Sequence, residues 1–232
     1  MLTVEHLGAI AQRGMETTFE RVPHARAFHD GSWTEQRYYV RYLIEAAKRV
    51  PLMNASDAYA LYRHGMRDPV LGSQFARYLA EEWGHERMVE PDLHAFGVTR
   101  EDVDRTPVLF ATDRLMGFLH VAIDRDGLIA PAVWNWFVEW YSDQYNATIA
   151  RKAAATFGAE KVRGLRAHLA FDQGHQHGDV VFQIARKAIE VFGTDAVALT
   201  YLERLMSFVA EYFDELARVT INSTRKEDDM FR

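Results

Sequence analysis

Apolar residues recur along this chain at intervals of three and four, with polar and charged residues between them, and no alternating pattern of useful length interrupts that rhythm. Such a period buries one face of a helix, so the pattern predicts an all-α bundle of seven or eight helices. Thr3 is placed to cap a first helix to about residue 19, and 23–31 reads as a loop. Ser32 or Thr34 then caps a helix to about residue 50, where Pro51 interrupts it before a short helix over 53–64. Asp68 and Pro69 open a long helix, kinked near Pro91 and closed by Gly97. Thr99 and Asp102 have capping-box spacing. Helices follow from after Pro107 to 123, over 129–156, from 160 with loosening near Gly174 and Gly178, over 180–192, and from Thr194 to about 219. No repeat or linker divides the chain, so residues 1–223 read as one domain and 224–232 as a polar tail.

Polar residues in that pattern carry the chemistry. In GLRAHLAFDQGHQH, His168, Asp172 and His175 stand at i, i+4 and i+7, which stacks them on one helix face. They could form a wet surface, but Leu165, Leu169 and Phe171 make the segment partly apolar, and burying two imidazoles and a carboxylate without partners costs several kcal/mol. A shared cation satisfies all three, and imidazole with carboxylate suits Fe(II) or Mn(II). In RYLAEEWGHERM, Glu82 and His85 have the Glu-x-x-His spacing that points two ligands inward in dimetal helical bundles, with Glu81 competing for the carboxylate position. Glu139 lies in WNWFVEWY, where an ionised carboxylate either turns to water or is compensated by a cation. Glu45 stands between Ile44 and Ala46 and shares a face with Tyr38 and Tyr42.

Composition narrows the classes. A chain of 232 residues, 48% hydrophobic, can bury one substantial core. With no cysteine there is no disulfide, thiolate zinc site, iron–sulfur cluster or cysteine nucleophile, in keeping with a reducing cytoplasm. A net charge of −6 argues against tracking of nucleic-acid phosphates. Neither a signal peptide nor an 18-residue apolar span is visible, so a cytoplasmic protein without membrane contact is expected.

Taken together, the His-x-x-x-Asp-x-x-His helix, a glutamate about thirty residues before it and a Glu/His segment about fifty-five residues earlier still resemble the haem-oxygenase-like diiron oxidases and oxygenases. Thiaminase II and pyrroloquinoline quinone synthase share that superfamily. The resemblance covers most of the chain and implies a haem-oxygenase-like fold with two iron ions held by Glu45, Glu82, His85, Glu139, His168, Asp172 and His175, and with O2 as co-substrate. It also implies oxidation of a small molecule, an amino acid or derivative, by N-oxygenation, desaturation or oxidative C–C cleavage, with an external electron donor. No carboxylate-clamping arginine stands out among Arg41, Arg49, Arg77 and Arg166. A homodimer is the expected assembly. The rival readings are a thiaminase-II-like hydrolase, which lacks its cysteine here, a cofactor-free oxidase, haem ligation by His24, and a non-catalytic metal-binding module.

Overall fold

The computed structural model describes residues 2–175 and 177–221, and the side chains of all of these except 171–177. The helices are α1 (Val4–Arg21), α2 (Pro23–His29), α3 (Gln36–His64), α4 (Pro69–Glu82), α5 (Glu90–Ala95), α6 (Arg100–Arg105), α7 (Phe110–Asp126), α8 (Ile129–Tyr141), α9 (Ala147–Phe157), α10 (Arg163–His175), α11 (His177–Phe192) and α12 (Asp195–Thr220). Among the described residues there is no strand. None of their helices is long and apolar enough to cross a membrane. Asp172 and His175 fall among the side chains outside the description, and the tail 224–232 lies outside the described residues altogether.

Several starts follow the local rules. Thr3 accepts from the His6 amide, Thr194 from the Val197 amide, and Thr99 and Asp102 form a complete capping box. Elsewhere tertiary packing overrides them. Residues 23–29 are helical rather than a loop: Pro23 sits at the first turn, where its missing N–H costs nothing, and Ala25, Phe28 and His29 are buried. The following helix is capped by Glu35, whose carboxylate accepts from the Tyr38 amide at 2.9 Å, not by Ser32 or Thr34. It runs through Pro51 as a single helix of 29 residues. Pro51 is exposed, so its absent N–H falls on the wet side, and burial of Tyr38 to Ala47 before it and Met53 to Ala60 after it holds both halves in line.

Two interruptions matter for the site. Glu82 ends α4, and Gly84, at φ 99°, turns the chain into a 3-10 segment, His85–Val89. Glu82 and His85 are thus three apart across a left-handed glycine turn, not on one long helix. The second is a π-helical turn, Ser142–Asn146, which joins α8 to α9 just after Glu139. One contiguous apolar core lies inside, with α12 packed along α1, α7 and α8, and α11 against α8.

Candidate metal centre

Carboxylates and imidazoles of α3, α4, α8, α10 and the 3-10 segment are joined pairwise through Tyr78, Asn135 and Glu82. Beyond the Gly84 turn, His85 folds back so that its Nδ1 lies 3.0 Å from Glu82 Oε2. A carboxylate can only accept, so Nδ1 carries a proton; in the neutral ring this leaves the Nε2 lone pair for a metal, the tautomer in which a carboxylate orients a metal-binding histidine. Glu82, not Glu81, makes this contact. His85 is buried, and its ring meets that of His168 edge to face, centroids 5.3 Å apart.

The approach of those two rings is set by Asp92 on α5. Its carboxylate accepts from the Gly164 amide at 2.7 Å and the Leu165 amide at 2.9 Å, satisfying two orphan N–H groups in the first turn of α10. Burial raises the Asp92 carboxyl above its ordinary range, and those backbone donors pull it back. Gly164 lies against the Met88 carbonyl so closely that no side chain would fit there. His168 follows one turn along.

From α8, Glu139 is buried and accepts a hydrogen bond from the Tyr78 hydroxyl of α4 at 3.2 Å. One turn earlier on the same face, the Asn135 amide donates to Asp57 Oδ2 of α3 at 2.8 Å. Asp57 is 3% exposed, and burial pushes its carboxyl up to about 8; the Asn135 hydrogen bond opposes the shift and the nearby Glu82 adds to it. Tyr78 feels Glu139, Glu82 and Asp57 together, and its hydroxyl stays protonated well beyond the usual range, chiefly through burial.

Glu45 is not brought to this group. Its carboxylate pairs with Arg41 at 2.7 Å and accepts from the Leu109 amide at 3.0 Å and the Thr112 hydroxyl at 2.5 Å, so both oxygens are engaged. The α3 carboxylate that faces the group is Asp57, twelve residues and about 18 Å further along the helix. The signal for Asp57 was present in the sequence: it shares an apolar face with Met53 and Ala60, the same anomaly that singled out Glu139. Asp92 and Asn135 carried no comparable mark. His24 lies on α2 with its ring 5.1 Å from that of Trp33.

Among the described residues no three His, Asp or Glu side chains form a group that could hold a metal ion. The chemistry of the donor set nevertheless fits a cation. Three carboxylates, Asp57, Glu82 and Glu139, act together on Tyr78, Glu82 also holds His85, and burial holds Asp57 far above its ordinary range, a penalty that neighbouring positive charge would remove.

A crystal structure of a domain of unknown function from Shewanella denitrificans superimposes on this chain with a TM-score of 0.75, over 94% of this chain and 93% of that one, at 19% sequence identity. The fold is haem-oxygenase-like. No family model matches the chain, and no curated protein matches it. At this level of identity the likeness concerns architecture, and any chemistry has to be argued from the side chains.

Proposed function

We propose that this haem-oxygenase-like protein is a non-haem diiron enzyme that uses O2 to oxidise a small organic substrate. The observation that carries the reading is a run of contacts: Glu82 holds His85, the His85 ring meets that of His168, and Tyr78 lies under the combined influence of Glu82, Glu139 and Asp57. Asp57, Glu82, His85, Glu139 and His168 would hold the metal ions together with Asp172 and His175, the two residues of the sequence motif whose side chains lie outside the description. A pair of ferrous ions, when bound, supplies the electrons with which dioxygen is activated. The chain's own part is positioning. Glu82 fixes the His85 tautomer, Tyr78 and Asn135 hold the two other acids from outside, and Asp92 anchors the helix of His168. An amino acid or a close derivative is the substrate class, with electrons beyond those of the substrate drawn from an external donor.

Anaerobic titration with Fe(II) tests the reading. About two irons per chain are expected, and His168→Ala or Glu139→Ala should lose most of that capacity. Iron binding equal to that of the parent in both variants, or turnover that survives chelator, would rule the reading out.

A further inference from the structure

α8 carries a second polar environment on another face. Asn135 and Glu139 look toward the candidate metal centre, whereas Trp134, Phe137, Val138 and Tyr141, spaced three and four apart, line a cavity completed by α3, α7 and α12. The cavity is about 40 Å³, room for about three waters. Its walls are mainly aromatic, with Tyr42, Phe137 and Phe213 among them.

The polar atoms left over in this cavity are donors. The Arg49 Nε, the Trp134 indole N–H and the Tyr212 hydroxyl are all buried without a hydrogen-bond partner. Trp134 and Tyr212 are themselves only 3% and 6% exposed. Arg and Trp nitrogens can only donate, and a phenol can donate as well. Leaving such groups unsatisfied costs the desolvation of each, so a ligand offering acceptors is favoured.

Charge decides which acceptor. The Arg49 guanidinium lies 5.3 Å from the Tyr212 ring centroid and makes no ion pair among the described residues. Its neighbour one turn back, Glu45, is turned instead toward Arg41, Leu109 and Thr112. Two guanidinium groups and one carboxylate leave a single positive charge in excess beside the cavity. The acids nearest on α12 are engaged too, Glu211 with Arg114 and Glu215 with Arg218. Of the four arginines open to choice on sequence, Arg41 is committed and Arg77 and Arg166 are exposed, which leaves Arg49.

We propose that this cavity binds a small aliphatic monocarboxylate of about the size of acetate, its carboxylate held by Arg49, Tyr212 and Trp134 and its methyl group lodged between Phe137 and Phe213. A planar carboxylate suits the donor fork of a guanidinium, and the aromatic walls favour an apolar remainder over an inorganic anion. The site faces away from Glu139 and draws on no metal.

Calorimetric titration with acetate and with its neutral isostere acetamide tests this, using the protein as purified and again after Fe(II) loading. Acetate should bind in both preparations, at least about tenfold tighter than acetamide. Arg49→Met should abolish that preference while melting cooperatively, Arg49→Lys should keep part of it, and Leu115→Trp, which fills the cavity, should remove binding of both compounds. Should Arg49→Met fail to fold, Tyr212→Phe replaces it and should weaken acetate several-fold. Equal affinity for the two compounds, no binding of either, or a preference untouched by Arg49→Met would overturn the proposal. So would acetate binding that appears only after Fe(II) loading, since the acid would then sit on the metal.

Discussion

Individual residues show how burial converts ordinary polar groups into constraints. His29 is 3% exposed and ringed by Phe19, Phe28, Tyr145 and Phe213. Its Nδ1 lies 2.6 Å from the Ala25 carbonyl, which can only accept, so Nδ1 carries the proton and Nε2 accepts from the Tyr141 hydroxyl at 2.6 Å. This arrangement suits the neutral ring alone. Burial lowers the His29 imidazole from 6.5 to about 4, against the opposing pull of the Ala25 carbonyl and Asp30. The unfolded chain therefore takes up a proton near pH 6.5 that the folded chain refuses. Its contribution is present in full above pH 6.5 and is lost as pH falls toward 4, up to about 3 kcal/mol. In denaturant titrations from pH 7 to pH 4, His29→Gln should show a slope with pH shallower by about one proton than the parent. Identical slopes would place the acid sensitivity elsewhere.

Glu45 and Asp57 make the complementary point. Both are buried acids on one helix, and their surroundings differ completely. Glu45 receives a guanidinium, an amide and a hydroxyl; Asp57 receives one amide and the proximity of another acid. The residue alphabet does not distinguish them, because what separates a structural carboxylate from a chemically strained one is the partner that folding delivers.

At the scale of elements, the candidate site depends on breaks rather than on helices. The Gly84 turn reverses His85 onto Glu82, and the contact of Gly164 with Met88 brings α10 alongside the 3-10 segment that carries His85. Adding one methyl group at Gly164 would push those elements apart. Gly164→Ala should lower stability by about 1–3 kcal/mol in thermal or denaturant melts. It should also reduce iron capacity, although residue 164 is no ligand. Unchanged melting and unchanged iron uptake together would show that the two elements do not need this close packing. Helix starts are legible in the sequence because capping is local chemistry, and Thr3, Thr99 and Thr194 behave as their spacing says. The helix over Pro23–His29 and the passage of α3 through Pro51 are not legible in this way, since in both cases long-range burial outweighs a local preference.

Across the whole molecule, the acids and imidazoles come from positions as far apart in the chain as Asp57 and His168. No short segment could hold a cation with them, so metal binding on this reading is linked to the folded state as a whole. Adding Fe(II) anaerobically, or Mn(II), should raise the melting temperature by an amount that grows with metal concentration, and His168→Ala should flatten that dependence. A melting temperature indifferent to either metal in the parent protein would count against the centre. The same scale explains how a fold can persist at 19% identity: a helical bundle asks each position to be apolar or polar on the correct face and asks little more of most of them.

The amino-acid sequence alone determined the helical class, the capped helix starts and a short roll of polar residues too costly to bury without partners. These follow from the helical period and from desolvation, both of which act over one or two turns of chain. Tertiary structure alone decided which acid of α3 comes near Glu82 and Tyr78, how His85 returns to Glu82 across a glycine, and which arginine stands beside a cavity without a counterion among the described residues. Those outcomes turn on the approach of segments many residues apart, and a helix face carries no record of what will be packed against it.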